Sequence, residues 1–98
     1  MAFETIDDIT IRYEEDGKEL LKVIEKEVLT RGAWTTIMFK YQDLDKNTGE
    51  YKPEKASIRR YQKTKGEYKS RSKFNISNAD QAQKIINVLK KWFPPKKS

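Results

Sequence analysis

Between Lys55 and Ser77 the sequence sets cations at alternate positions on two neighbouring stretches, Arg59 and Lys63 on the first and Lys69, Arg71 and Lys73 on the second, with the phenol of Tyr61 among them. Ammonium and guanidinium groups at this spacing can follow a line of phosphates, and a ring between them can stack on a base without demanding a particular one. The chemistry that this mixture supports is binding to single-stranded nucleic acid.

Positioning those groups requires strands. Two alternating runs, Ala56 to Gln62 and Tyr68 to Ile76, flank Lys63-Thr64-Lys65-Gly66-Glu67, and a short connection containing glycine between such runs predicts an antiparallel hairpin. Strict alternation then sends Tyr68, Phe74 and Ile76 to one side of the second strand and Lys69, Arg71 and Lys73 to the other. In the first strand Ala56 and Ile58 share a face, opposite to Ser57, Arg59, Tyr61 and Lys63. With Ile58 and Phe74 facing the core, Arg59, Tyr61, Lys69, Arg71 and Lys73 are expected on one basic surface.

The remaining elements follow from pattern. Lys22 to Thr30 alternates as a strand, although Leu20, Leu21, Ile24 and Val28 also fit a helical stripe. The strand reading is preferred because Arg31-Gly32-Ala33 is a turn and Trp34 to Gln42 is rich in strand-forming residues. In that second strand Ile37, Phe39 and Tyr41 share one face, and Trp34, Met38 and Lys40 the other. Asp43 to Pro53 reads as a polar loop; its acidic spacing comes close to a calcium loop, but the glycine falls one place late. Ser77 is the expected helix N-cap with Asp80 three residues on, and Ala82, Ile85, Ile86, Val88, Leu89, Trp92 and Phe93 form a broad apolar stripe that Pro94-Pro95 ends. Excess apolar width on a terminal helix suggests a subunit interface.

The chain has 98 residues, enough for one domain with a modest core. Its net charge of +6 is unevenly spread: residues 1–30 carry four basic side chains against nine acidic ones, and residues 31–98 carry 17 against six. A cationic domain favours polyanions. The division expected is an acidic N-terminal arm or accessory hairpin over 1–20, with Asp16-Gly17 as its turn, and a nucleic-acid-binding domain over 21–98. From charge alone, the acidic part is expected to shield the basic surface. The absence of cysteine and histidine excludes disulfides, thiolate chemistry, ordinary zinc sites and imidazole catalysis. No enzyme activity, metal or cofactor is expected. Nor does any apolar run approach bilayer length or any signal peptide open the chain, so an intracellular protein without membrane contact is expected.

The order of four strands and a helix, with Ile58-Arg59-Arg60-Tyr61 in the third strand, a Gly66-Glu67 turn, Lys69 to Lys73 in the fourth, then Asn75-Ile76-Ser77 and a capped helix, resembles the positive cofactor 4 family. Its members are transcriptional coactivators and single-stranded DNA-binding proteins, and the resemblance implies a member of bacterial or phage type. The likeness covers roughly residues 22–93 and is tight over 57–90. It implies an α+β fold, a twisted antiparallel sheet of four or five strands followed by one amphipathic helix, and a homodimer joined through Ile85, Ile86, Val88, Leu89, Trp92 and Phe93. By the same likeness Arg59, Tyr61 and Lys73 match the family's basic and aromatic positions, and Phe39 or Tyr41 stands where the family keeps a stacking ring. The sequence departs from the pattern at Gln62, where an aromatic is usual, and at Asn75, where a glycine is.

Residues and resemblance together give a nucleic-acid surface of Phe39, Lys40, Tyr41, Lys55, Arg59, Tyr61, Lys63, Lys69, Arg71 and Lys73. The expected function is single-stranded DNA binding with little sequence preference, in replication, recombination, repair or transcription, within a bacterial cytoplasm, a phage-infected cell or a nucleus. The alternatives are a coactivator or interaction module acting on a polymerase or other replication or transcription protein, and an RNA binder.

Overall fold

A computed structural model describes residues 2–96. In chain order its elements are β1 (Ala2–Phe3), a 3-10 turn (Ile6–Asp8), β2 (Glu14–Glu15), β3 (Lys18–Glu19), β4 (Leu21–Thr30), β5 (Trp34–Asp43), β6 (Lys55–Thr64), β7 (Glu67–Ile76) and α1 (Ala79–Trp92). The fold is α+β: a curled antiparallel sheet in the order β1-β7-β6-β5-β4, a separate β2-β3 hairpin, and the C-terminal helix. Among the described residues, no helix is long and apolar enough to cross a membrane.

Two tight turns follow directly from local chemistry. Lys65 and Gly66 both have positive φ, 51° and 78°, as do Asp16 and Gly17 at 53° and 77°. Two consecutive left-handed residues make the turn whose twist matches that of paired strands. Pairing therefore extends to Thr64 and Glu67, further than side-chain alternation alone indicates.

The core lies on one face of the sheet. In β5 it takes Thr35, Ile37, Phe39 and Tyr41, which stand opposite Tyr61, Arg59, Ser57 and Lys55 of β6. Across this face runs the N-terminal segment. It starts as β1 paired to Lys69 and Tyr68 of β7, crosses with Ile9 and Ile11 buried against Ile37, Phe39, Tyr41, Tyr61 and Tyr68, and reaches the opposite edge at β4. Phe3 meets the Tyr61 ring edge-on, centroids 6.4 Å apart. From β4, Lys26 Nζ donates to the main-chain oxygens of Ile6 at 2.8 Å and Asp7 at 3.2 Å, fixing the crossing. Residues 2–20 thus share the core of residues 21–96.

Ile58 and Phe74 do not face this core, contrary to the pattern-based expectation. They lie opposite each other on the other face, and Phe74 is 53% exposed. The reason is competition for cover: one face receives two isoleucines from the chain's own N-terminal segment, whereas the other receives only the start of α1, where Ala79 and Ala82 lie beside Met38, Ala56 and Ile76.

The helix begins one residue later than Ser77 as cap would give. Asn78 is the N-cap, its Oδ1 accepting from Gln81 N at 2.8 Å, while Gln81 Oε1 accepts from Ser77 N at 2.7 Å. This is a capping box displaced by one position. The apolar side of α1 stays largely in solvent, and the molecule is broad and thin at 49 × 39 × 20 Å. Its radius of gyration is 15.6 Å, against roughly 13 Å for a compact chain of this length.

Candidate nucleic-acid interface

A bulge decides which cations share a face. Arg59 stands opposite Lys73 and Arg60 opposite Ser72, but Tyr61 then faces Ser70, so Arg71 is the extra residue on β7. Such an insertion reverses the phase of side-chain alternation. Arg59, Tyr61, Lys63, Tyr68, Ser70 and Lys73 fall on the covered face. Lys69 is instead opposite Gln62 on the open face, where Arg71 Nε donates to Gln62 Oε1 at 3.1 Å. The single basic wall expected from alternation is therefore two basic areas, one on each side of the sheet.

Of the ten candidate residues, Phe39, Tyr41 and Tyr61 are buried beneath the N-terminal segment. Burial raises the Tyr61 phenol above its usual value, and the Arg59 guanidinium beside it opposes that rise. Lys40 lies on the open face and pairs with Glu54 at 3.3 Å; Lys55 pairs with Asp43 at 3.1 Å. These two cations are already neutralised within the chain. Asp43 is thereby occupied, and Asp45 Oδ1 accepts from Asn47 N at 2.8 Å, closing the loop as a turn.

The other five differ. Arg59, Lys63, Lys69, Arg71 and Lys73, together with Arg60, have no carboxylate within ion-pair distance among the described residues. All six sit on the β6-β7 hairpin. Directly opposite like charges, as at Arg59 and Lys73, oppose strand pairing, so the hairpin holds a charge excess that an external anion would relieve. Arg59 is oriented by its Nε donating to Ser57 Oγ at 3.0 Å, and Ser57 in turn donates to Asn75 Oδ1 at 2.8 Å.

Trp34 is the aromatic that pattern reasoning left aside. It begins β5 on the open face, 43% exposed, with the Arg60 guanidinium 4.5 Å from its ring centroid. Cross-strand from Trp34 is Gln62, whose other neighbour is Lys69. An exposed indole beside Arg60, Lys69 and Arg71 has the composition of a stacking platform. Its signal lay in the sequence only as one ring too many for a single core face, and nothing there said which face would be closed.

No known protein family, curated protein or solved structure matches this chain. The likeness to positive cofactor 4 proteins therefore stands on the residues alone. Of the positions it implies for a subunit contact, Ile85 is half-buried, and Ile86, Val88, Leu89, Trp92 and Phe93 are exposed, the last two by 66% and 74%. Ile85, Val88, Leu89 and Trp92 line an almost wholly apolar groove of about 310 Å3 along the helix.

Proposed function

We propose that this protein binds single-stranded DNA with little sequence preference, as a homodimer joined through α1, and performs no catalysis. The observation that carries the reading is the β6-β7 hairpin, where Arg60, Lys69 and Arg71 lie on the face of the exposed Trp34 indole, and Arg59, Lys63 and Lys73 on the other, none with a carboxylate within ion-pair distance among the described residues. Cations of this kind bind phosphate by releasing condensed counterions, and rings bind any base by its π-face. Strand-bound processes in replication, recombination, repair or transcription are the setting this fits. The dimer draws support from the uncovered apolar side of α1 and from the exposed Phe74 on the open face, since exposed apolar surface of this extent on a small chain marks an interaction site.

The test compares single-stranded with double-stranded oligonucleotides of equal length by fluorescence anisotropy at several salt concentrations, with the mass of the complex from light scattering. The expected result is preference for the single strand, affinity falling steeply with salt, and two protein chains per particle. Equal affinity for duplex, or affinity that does not change with salt, would reject the reading.

A further inference from the structure

Where the N-terminal segment crosses the covered face, a cavity of about 150 Å3 opens between segment and sheet. Phe3, Thr10, Ile11 and Arg12 line it from the segment, and Arg59, Tyr61 and Ser70 from the sheet. The polar lining is two guanidinium groups and three hydroxyls, and no carboxylate belongs to it. Lys73, cross-strand from Arg59, adds a third positive charge nearby. Arg12 is held only loosely, 3.9 Å from Glu14 and 3.9 Å from Glu19, with all three side chains well exposed. Exposed pairs at that distance contribute little, and a guanidinium exchanges such partners readily for a phosphate oxygen at hydrogen-bonding distance.

We propose that this cavity seats one backbone phosphate of a bound single strand, held jointly by Arg12 of the N-terminal segment and Arg59 of the sheet. The proposal rests on the single-stranded DNA reading above and changes the role of the segment within it. Instead of a shield over the basic face, the segment is part of the binding surface. Its acidic side chains Glu4, Asp7 and Asp8 are exposed, and the side chains it packs on the sheet are the apolar Phe3, Ile6, Ile9 and Ile11. A strand crossing this edge of the sheet would leave one phosphate between the two arginines and continue past Lys73.

The experiment measures affinity for a labelled oligothymidine against salt for the wild type, Arg12→Ala, Arg12→Lys and Lys46→Ala. Lys46 lies in the loop between β5 and β6, paired with Glu15, and serves as a control for loss of any cation. Removing one phosphate contact from a single-strand complex should lower the slope of log affinity against log salt by about 0.7. The seat requires that loss in Arg12→Ala, with roughly tenfold weaker binding at low salt, recovery of the slope in Arg12→Lys, and a wild-type slope in Lys46→Ala. A wild-type slope in Arg12→Ala, while the wild type itself binds the oligonucleotide, overturns the seat and leaves the broader reading standing. No binding by the wild type removes both. Inorganic phosphate is titrated by NMR as a second arm. Phosphate-induced shifts lost in Arg12→Ala alongside an unchanged oligonucleotide slope would make this a site for a free anion and overturn its assignment to the strand.

Discussion

On one face of the sheet Ile37, Phe39, Tyr41 and Tyr61 lie beneath the chain's own N-terminal segment, while on the other Met38, Ile58, Phe74 and Trp34 stay within reach of solvent. Both faces carry rings and cations, because alternation distributes the same residue types to each side. What separates them is cover. The closed face obtains it within the chain from Ile9 and Ile11, each contributing about 1.5–3 kcal/mol by burial. The open face obtains only the first turn of α1 and keeps the rest of its apolar and aromatic surface for partners. A small chain with a modest core cannot fill both sides of a five-stranded sheet, so one side becomes structure and the other becomes surface.

The sharpest way to break this contrast is Ile9→Ala. If the N-terminal segment is core, truncating a side chain 1% exposed should cost about 2–5 kcal/mol, read as a lower urea midpoint at dilute protein. The matching change on the open face, Phe74→Ala, should shift the same midpoint by about 0.5 kcal/mol or less and have its effect at concentrations where chains associate. A neutral Ile9→Ala would show that the segment is a loosely attached arm, and that Phe39 and Tyr41 can be uncovered for stacking. Since domains of this size are stable by only about 5–15 kcal/mol, lifting the whole segment to admit a ligand would use most of the molecule's stability.

Much of the architecture is legible without coordinates. The four long strands, both glycine turns and the helix follow from alternation, turn chemistry and an apolar stripe, and the strand ends differ by one or two residues. Facing is where the reading parts from the structure, for two physical reasons. The extra residue at Arg71 reverses alternation halfway along β7, moving Lys69 and Arg71 away from Arg59, and no residue type marks it. Which face closes is decided by Ile9 and Ile11, distant in sequence and set in an acidic stretch that composition alone gives to solvent. Charge suggested a shield and hydrophobicity supplied a core. The cations that turn out unpaired were visible as residues, but the partners that neutralise Lys40 and Lys55 depend on the fold of the 43–54 loop.

The open face can be tested through its ring. Trp34→Ala should weaken single-strand binding by about 1–3 kcal/mol if one base stacks there, with little change in the urea midpoint. In a Trp92→Phe background, emission from the remaining Trp34 should be quenched as oligonucleotide is added. Tyr41→Ala provides the contrast: a buried ring should lose stability first, and binding only through unfolding. Unquenched Trp34 emission together with unaltered affinity in Trp34→Ala would move the strand off the open face.

The smallest expected effect probes whether the closed face stays closed. Burial holds the Tyr61 phenol above its ordinary value of 10.0, against the opposing pull of Arg59. As pH rises the unfolded chain therefore releases this proton first, and between the two values the folded chain binds more protons. The stability that the neutral phenol contributes is complete below the unfolded value and falls as pH climbs through the folded one. Lys26 titrates in the same region with the opposite sign, because its ammonium is lowered, chiefly by burial, below 10.5. Only a difference isolates the phenol: the stability of the wild type relative to Tyr61→Phe should hold steady up to pH of about 9 and decline beyond about 10. A difference that stays flat to high pH would mean that the hydroxyl ionises alike in both states, as it would if the N-terminal segment left the sheet freely and water reached Tyr61.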